Sequence, residues 1–155
     1  MGNEFKEVRI ENKKAYHDYF VEDTLECGIS LKGNEIKSIR LGNCNIKDAW
    51  CRVQNNQLVI RGMHIKNYET SNKFDLLDPD RERVLLAHRR EIIKLDSESQ
   101  LNGKTLVPLR LYTVRGKCKV LVGVCRGKHN YDKRESLKER QIKRDIDREL
   151  KERVR

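Results

Sequence analysis

Long hydrophobic runs are missing from this sequence. Hydrophobic residues make up 37% of its 155 positions, and no apolar stretch approaches the length that a membrane span needs. The first six residues also lack the apolar region of a signal peptide. We therefore expect a cytoplasmic protein with no membrane partner.

Closely spaced cysteine pairs are also absent. The five cysteines, at positions 27, 44, 51, 118 and 125, contain no Cys-x-x-Cys pair of the kind that zinc sites use. Their odd number, without a secretory signal, predicts reduced thiols. Most of them stand in apolar strand patterns, where cysteine behaves as a small hydrophobic residue.

Motifs of the common enzyme classes are missing as well. The sequence has no phosphate-binding glycine loop, no His-Glu-x-x-His helix and no nucleophile elbow. The prediction is a protein that is not an enzyme and that needs neither a cofactor nor a metal. One catalytic alternative stays open, a metal-dependent nuclease that would use the acidic cluster Asp75, Asp78, Asp80 and Glu82.

Positive charge is what the chain has in excess. Its 34 Lys and Arg outnumber 24 Asp and Glu, and the net charge of +10 favours a polyanionic partner, most commonly nucleic acid. Residues 126–155 hold twelve Lys or Arg and seven Asp or Glu, which is half of that net charge. Apolar residues recur every fourth position from Ile142 to Val154, so this basic tail would form a helix with one thin apolar stripe. Either it orders on RNA or in a groove, or it is a solvated charged helix.

The remaining sequence alternates between strand patterns and turn signals. The last strand pair, residues 105–128, turns at Arg115 and Gly116, where glycine allows the positive backbone angle of a tight hairpin. Other strands are expected at 20–31, with a bend or bulge at Gly28, and at 44–53 and 58–65. Helices are expected at 33–42, from the Asp78-Pro79-Asp80 start to Leu86, and at 90–100, the last burying Ile92, Ile93 and Leu95. Residues 1–12 are expected to fray or to lie over the surface.

These patterns predict a mainly β fold, a small closed antiparallel barrel of the oligonucleotide-binding type with about three short helices and a basic C-terminal tail. We expect the barrel to span residues 1–127 and the tail residues 128–155, and we expect a monomer. The tail would be disordered alone and helical when docked.

Cations and aromatic residues that could neutralise phosphates and stack on bases occur near both ends of the barrel. The candidates are Lys13, Lys14, Tyr16, His17 and Tyr19 at one end and Lys117, Lys119, Arg126, Lys128 and His129 at the other.

Several ordered blocks resemble the small protein B family, the SsrA-binding proteins of bacterial trans-translation. The blocks are NKKAYHDYF at 12–20, LKGNEIKSIR at 31–40, DPDRER at 78–83, LL at 85–86, TLVPLRLY at 105–112 and GKHNYDKR at 127–134. The resemblance implies binding to transfer-messenger RNA at its tRNA-like domain. Protein and RNA would together imitate a tRNA and enter ribosomes stalled on messages without a stop codon, with the tail probing the empty small-subunit decoding site and the mRNA channel. A generic small-barrel RNA-binding or ribosomal structural protein is the alternative.

The resemblance also assigns individual residues. Its RNA contacts fall on Asn12, Glu26, Leu86 and Lys119, with Lys128 as a further contact. The family's tail motif for the decoding site falls on Asp132, Lys133 and Arg134. Ile142 falls where the family often has an aromatic residue, and Leu150 where a bulky apolar residue helps the tail to enter the ribosome. The chain departs from the family pattern at Tyr16, Val84 and Ala87, and the last two bear on the packing of the 78–88 segment.

Overall fold

The computed structural model describes residues 7–68, 76–128 and 130–153, with the side chains of the last helix described from Leu137 to Lys151. The elements in chain order are β1 (Arg9–Glu11), α1 (Lys13–Asp18), β2 (Tyr19–Ile29), α2 (Gly33–Arg40), β3 (Cys44–Asn45), β4 (Trp50–Gln54), β5 (Gln57–Arg61), β6 (His64–Ile65), β7 (Arg83–Leu86), α3 (Arg89–Leu101), β8 (Thr105–Val114), β9 (Lys117–Gly127) and α4 (Asn130–Arg153).

Seven of the strands form one antiparallel sheet in the order β1-β8-β4-β5-β7-β2-β9. Strand β9 pairs again with β8, so the sheet curls back on itself around a core of alternating inward side chains. A single residue pair, Cys51 with Leu106, joins β4 to β8. The predicted mainly β fold, an antiparallel sheet with short helices, is confirmed, but the expected complete closure of the barrel is not, since β4 and β8 share only that pair.

The hairpin of β8 and β9 forms as predicted. Arg115 and Gly116 have φ angles of 51° and 78°, and Val114 pairs directly with Lys117 across the turn. Two consecutive positive φ angles match the twist of a two-residue hairpin. Because both strands also pair with other strands, this hairpin anchors the barrel.

Two predicted strands are each broken into two pieces. Residues 44–53 form β3 and β4, and residues 58–65 belong to β5 and β6. The break in the second lies at Gly62, whose φ is +75° and whose added Cβ would stand 2.8 Å from the carbonyl oxygen of Asp48. Since β3 and β6 pair only with each other, they form a small separate ladder beside the barrel.

The predicted helix from Asp78 to Leu86 is wrong. Asp78 makes a turn instead, accepting a hydrogen bond from the backbone of Asp80 at its side chain and one from Arg81 at its carbonyl. Residues Arg83–Leu86 then form β7, which fills the gap between β5 and β2. The acids and the proline read as a helix start, but they serve a turn into a strand.

Three smaller expectations have mixed outcomes. Of residues 1–12, which were expected to fray or to lie over the surface, residues 9–11 do not fray but form the edge strand β1 along β8, and residues 1–6 lie outside the described part. Gly28 is regularly paired, and the irregularity in β2 lies between Val21 and Asp23. In α3 Leu95 is buried as predicted and Ile92 is partly buried, whereas Ile93 is largely exposed.

Candidate nucleic-acid interface

One cluster of predicted site residues meets on the outer face of the barrel. Gly28 of β2 pairs with Leu86 of β7 on one side and with Lys119 of β9 on the other, and Lys119 in turn pairs with Tyr112 of β8. Side chains two residues apart in a strand share a face, so Glu26 stands beside this row. We call Glu26, Gly28, Leu86, Tyr112 and Lys119 the outer patch.

Leu86 is the apolar part of the outer patch. Its side chain is 57% exposed and leans over Gly28, where an added Cβ would lie 3.3 Å from the Cβ of Leu86. An open groove of about 440 Å³ adjoins it and is lined further by Leu31, Ile36 and Lys117. Beside this groove, the exposed leucine can pack against the face of an unpaired base, and the neighbouring lysine can pair with the phosphate of that nucleotide.

Glu26 and Tyr112 are joined by a side-chain hydrogen bond in which the Tyr112 hydroxyl donates to Oε2 of Glu26. Partial burial, as the larger cause, and this hydrogen bond, as the next, raise the pKa of Tyr112 to about 12. The hydroxyl therefore stays protonated at physiological pH and keeps donating to the carboxylate. Sequence reasoning missed Tyr112 as a site residue, because its partner lies 86 positions away.

A second cluster is built on α1, which packs against the outer face of β8 and β9. Ala15 is buried against Val107, Leu109 and Cys125. That contact leaves Lys13 and Tyr16 exposed. His17 is half-buried, and its Nδ1 lies 3.0 Å from Oδ1 of Asp18.

Lys14, another predicted cation of this cluster, already has an acidic partner. Its Nζ lies 2.8 Å from Oδ1 of Asp48, and this hydrogen bond raises the pKa of Lys14. RNA would compete with Asp48 for it.

Asn12 differs from the other predicted contacts, since it is only 1% exposed. Its amide nitrogen donates to the carbonyls of Ile46 and Pro108, at 3.1 and 2.9 Å, and its side-chain oxygen accepts from the backbone of Ala15. Asn12 thus caps α1 and ties it to the barrel. The described geometry gives it a structural task and leaves its side chain no open surface towards RNA.

Lys128 belongs with the α1 cluster. Its backbone N–H donates to the carbonyl of Asp18, its Nζ donates to the carbonyl of Tyr16, and the Nζ also lies 4.8 Å from the Phe20 ring centre. Arg126 approaches the same ring at 4.7 Å. We call the group Lys13, Tyr16, His17, Arg126 and Lys128 the α1 patch.

The two patches lie at opposite ends of the β2–β9 pair. Tyr19 pairs with Gly127 beside the α1 patch, and Gly28 pairs with Lys119 in the outer patch. Nine residues of strand separate those pairs, roughly 30 Å. The structure therefore gathers Glu26, Leu86 and Lys119 in one place and Lys13, Tyr16, His17 and Lys128 in another.

An exposed aromatic residue that sequence reasoning missed lies on β4. Trp50 is 41% exposed, and the guanidinium carbons of Arg52 and Arg61 lie 6.0 and 5.7 Å from its ring centre. The available signal was that Trp50 is the single tryptophan of the sequence.

Helix α4 carries the predicted apolar stripe in an exposed position. Its members Ile142, Ile146 and Leu150 are each about half exposed, and Val154 lies outside the described residues. Asp132, Lys133 and Arg134 lie on this helix, but their side chains are outside the described residues, as is all of His129. The stripe is available for a partner.

The acids of the nuclease alternative have other partners. Oδ1 of Asp80 lies 2.8 Å from Nδ1 of His64, Oε2 of Glu82 lies 2.6 Å from Nε of Arg61, and Asp78 holds its turn. Asp75 lies outside the described residues. Within 7–68, 76–128 and the described part of α4, no group of three or more His, Cys, Asp or Glu side chains is arranged to hold a metal ion.

The five cysteines are all free thiols. Burial raises the pKa of Cys27 and of Cys44 to about 12, and that of Cys125 to about 11. Thiols held protonated in this way are poor nucleophiles, as their apolar sequence context indicated.

None of the helices in the described part of the chain is long and apolar enough to cross a membrane.

Comparison with known proteins gives a consistent result. The sequence matches the family model described as "SmpB protein" over residues 9–152. SsrA-binding proteins from Staphylococcus aureus strains Newman, COL and MRSA252 are each 53% identical to it over 143 residues, which is 92% of this chain and 92% of theirs.

The fold is similar as well. A chain from the solved structure called "tmRNA-SmpB: a journey to the center of the bacterial ribosome" superposes with a TM-score of 0.66 and 38% sequence identity, covering 83% of this chain and 94% of its own. The chain belongs to the SmpB protein family.

Proposed function

We propose that this protein binds the tRNA-like domain of transfer-messenger RNA and delivers it to stalled ribosomes for trans-translation. The observation that carries the proposal is the outer patch, where three neighbouring strands bring an exposed leucine, a lysine and a carboxylate together in a chain of this family. The similarity to a chain from a tmRNA-SmpB structure supports the choice of RNA.

The work divides between two parts of the chain. The barrel holds RNA through the outer patch and the α1 patch, where cations neutralise phosphates and apolar or aromatic side chains meet bases. The tail beyond Lys128 probes the empty decoding site and the mRNA channel of the small subunit, using Asp132, Lys133 and Arg134 and the exposed stripe with Ile142 and Leu150. The protein itself breaks and forms no bonds, and it acts in the cytoplasm, where translation takes place.

A competition experiment separates this function from that of a generic RNA-binding barrel. At physiological salt, the full-length protein is expected to bind transfer-messenger RNA at least about tenfold more tightly than an unrelated hairpin RNA of equal length. Fluorescence anisotropy with both RNAs measures the ratio. Equal affinities would favour the generic alternative.

Lys119→Ala is expected to weaken binding to transfer-messenger RNA and to reduce the salt-dependence slope by about one, because one phosphate contact is lost. The measurement is the affinity at four or five salt concentrations. Lys94→Ala is the matched control, since it removes an equal charge from α3, where Lys94 pairs with Asp23. If the two variants had the same slope as wild type, Lys119 would not contact a phosphate.

A further inference from the structure

Glu26 is an unusual acid in this strongly basic protein. Neighbouring acids on the same sheet are compensated by cations: Glu11 pairs with Arg9 and Arg110, and Glu22 with Lys104 and Arg126. For Glu26 the described parts of the chain supply no ion pair, and the side chain that it bonds to is the neutral Tyr112 hydroxyl. An exposed carboxylate of this kind keeps its acceptor capacity for a ligand.

Tyr112 restricts how that carboxylate can point. Its hydroxyl occupies one lone pair of Oε2, which leaves Oε1 and the second lone pair of Oε2 to accept from outside. The strand register holds Glu26 on β2 and Tyr112 on β8, the two strands that flank β9 in the sheet. The free edge of the carboxylate is therefore presented beside Leu86 and Lys119 in a defined orientation.

An ionised carboxylate only accepts hydrogen bonds, so it repels phosphate oxygens and selects donors. Guanine presents two adjacent donors on its Watson–Crick edge, N1–H and the N2 amino group. The same edges of adenine, cytosine and uracil place acceptors next to their single donor, which a carboxylate disfavours. Unpaired bases expose this edge to a protein, and their faces rest on apolar or aromatic side chains.

We propose that Glu26, positioned by Tyr112, reads the Watson–Crick edge of an unpaired guanine in the bound RNA, with Leu86 against the base and Lys119 near its phosphate. The inference rests on the proposed function, since it names the base that the outer patch selects in that RNA. Glu26 touches the ligand in this account, and Tyr112 is a positioning residue that acts through it.

The test is an interference experiment with the full-length protein and the tRNA-like domain of transfer-messenger RNA. Guanosines are replaced at random by inosine, which lacks the N2 amino group, and bound and unbound RNAs are compared position by position. One unpaired guanosine is expected at which inosine weakens binding about tenfold. That interference is expected to disappear with Glu26→Gln, whose amide can accept at only one atom.

Two further variants complete the test. Tyr112→Phe keeps the ring but removes the hydroxyl. It is expected to reduce several-fold the ratio of the affinities for RNA with guanosine and RNA with inosine at that position, without changing the salt-dependence slope. A merely structural tyrosine would not produce this effect. Glu22→Gln is the matched control, because Glu22 lies on the same strand but is already paired with Lys104 and Arg126. This variant is expected to retain the wild-type inosine interference.

The inference is overturned if no inosine interference depends on Glu26, or if Glu26→Gln instead relieves interference from 2′-deoxy substitution, which would mean that the carboxylate accepts from a ribose hydroxyl. Both outcomes leave the preference for transfer-messenger RNA over an unrelated hairpin intact. Loss of that preference in the wild-type protein would instead contradict the proposed function.

Discussion

Ending the chain after Lys128 is expected to abolish tagging on stalled ribosomes while leaving the affinity for transfer-messenger RNA within about fivefold of wild type, a change of about 1 kcal/mol. The cut retains β9 and the contacts that Lys128 makes to Asp18, Tyr16 and Phe20. It removes α4, whose apolar stripe is exposed in the described part of the helix. RNA affinity and tagging in a reconstituted translation reaction measure the two activities separately.

A point substitution refines the same prediction. Ile142→Ser is expected to impair tagging without changing RNA affinity, because Ile142 lies on the exposed stripe. Gln141→Ser is the matched control, since this neighbouring residue points away from the stripe and bonds to Asp145 within the helix. A truncated protein that still tagged at the wild-type rate would show that the tail is not the part that probes the ribosome.

Glu35→Ala is expected to destabilise the barrel by about 3–5 kcal/mol, because it leaves a buried arginine unpaired. Glu35 is 4% exposed and accepts from Nε of Arg83 at 2.8 Å, from Arg81 and from the backbone of Lys32. The Nη2 atom of Arg83 lies 2.7 Å from Oε2 of Glu35 in the same ion pair. Arg83, itself 1% exposed, also donates to the carbonyls of Met63 and Pro79. This cluster joins α2 to β7 and to the turn that precedes it.

Urea unfolding followed by circular dichroism measures the loss. Glu82→Ala is the matched control: it also removes the carboxylate from an Arg–Glu pair, but the pair with Arg61 is exposed, and a change of about 0–1 kcal/mol is expected. Equal losses in the free energy of unfolding in the two variants would mean that burial of the Glu35 cluster does not increase its contribution to stability.

The same cluster sets a dependence on pH. Burial by itself would raise the pKa of Glu35, but the hydrogen bonds from Arg81, Lys32 and Arg83 outweigh it and hold the pKa below its ordinary value of 4.5. A carboxyl whose pKa is lower in the folded state stabilises the fold above its unfolded pKa, and the contribution is lost as the pH falls through the folded value. Wild type should therefore lose more stability below about pH 4.5 than Glu35→Ala does.

The sequence predicted most of what depends on neighbouring residues. The turn at Arg115 and Gly116 has a local glycine signal, and the α3 stop at Asn102 and Gly103 does as well. The turn at Asp78 carried the same residue types as a helix start. It took pairing with β5 and β2 to make the following segment a strand.

Contacts between distant positions were beyond local reasoning. Glu35 meets Arg83 across 48 positions and Glu26 meets Tyr112 across 86, so neither pair leaves a pattern in a single sequence. The family resemblance assigned Asn12 as an RNA contact, yet its side chain donates to the carbonyls of Ile46 and Pro108 and accepts from the backbone of Ala15. Lys119 was a candidate cation from the sequence itself, whereas Glu26 and Leu86 came from the family resemblance alone. The strand register explains why these three positions form one surface.

Sequencing the RNA that co-purifies from bacterial cells with the full-length protein, carrying an affinity tag, tests the central claim most directly. The account predicts strong enrichment of transfer-messenger RNA over its cellular abundance, and loss of that enrichment in the double variant Glu26→Gln with Lys119→Ala. Recovery of ribosomal or mixed RNAs in proportion to their abundance, with no change in the double variant, would contradict it.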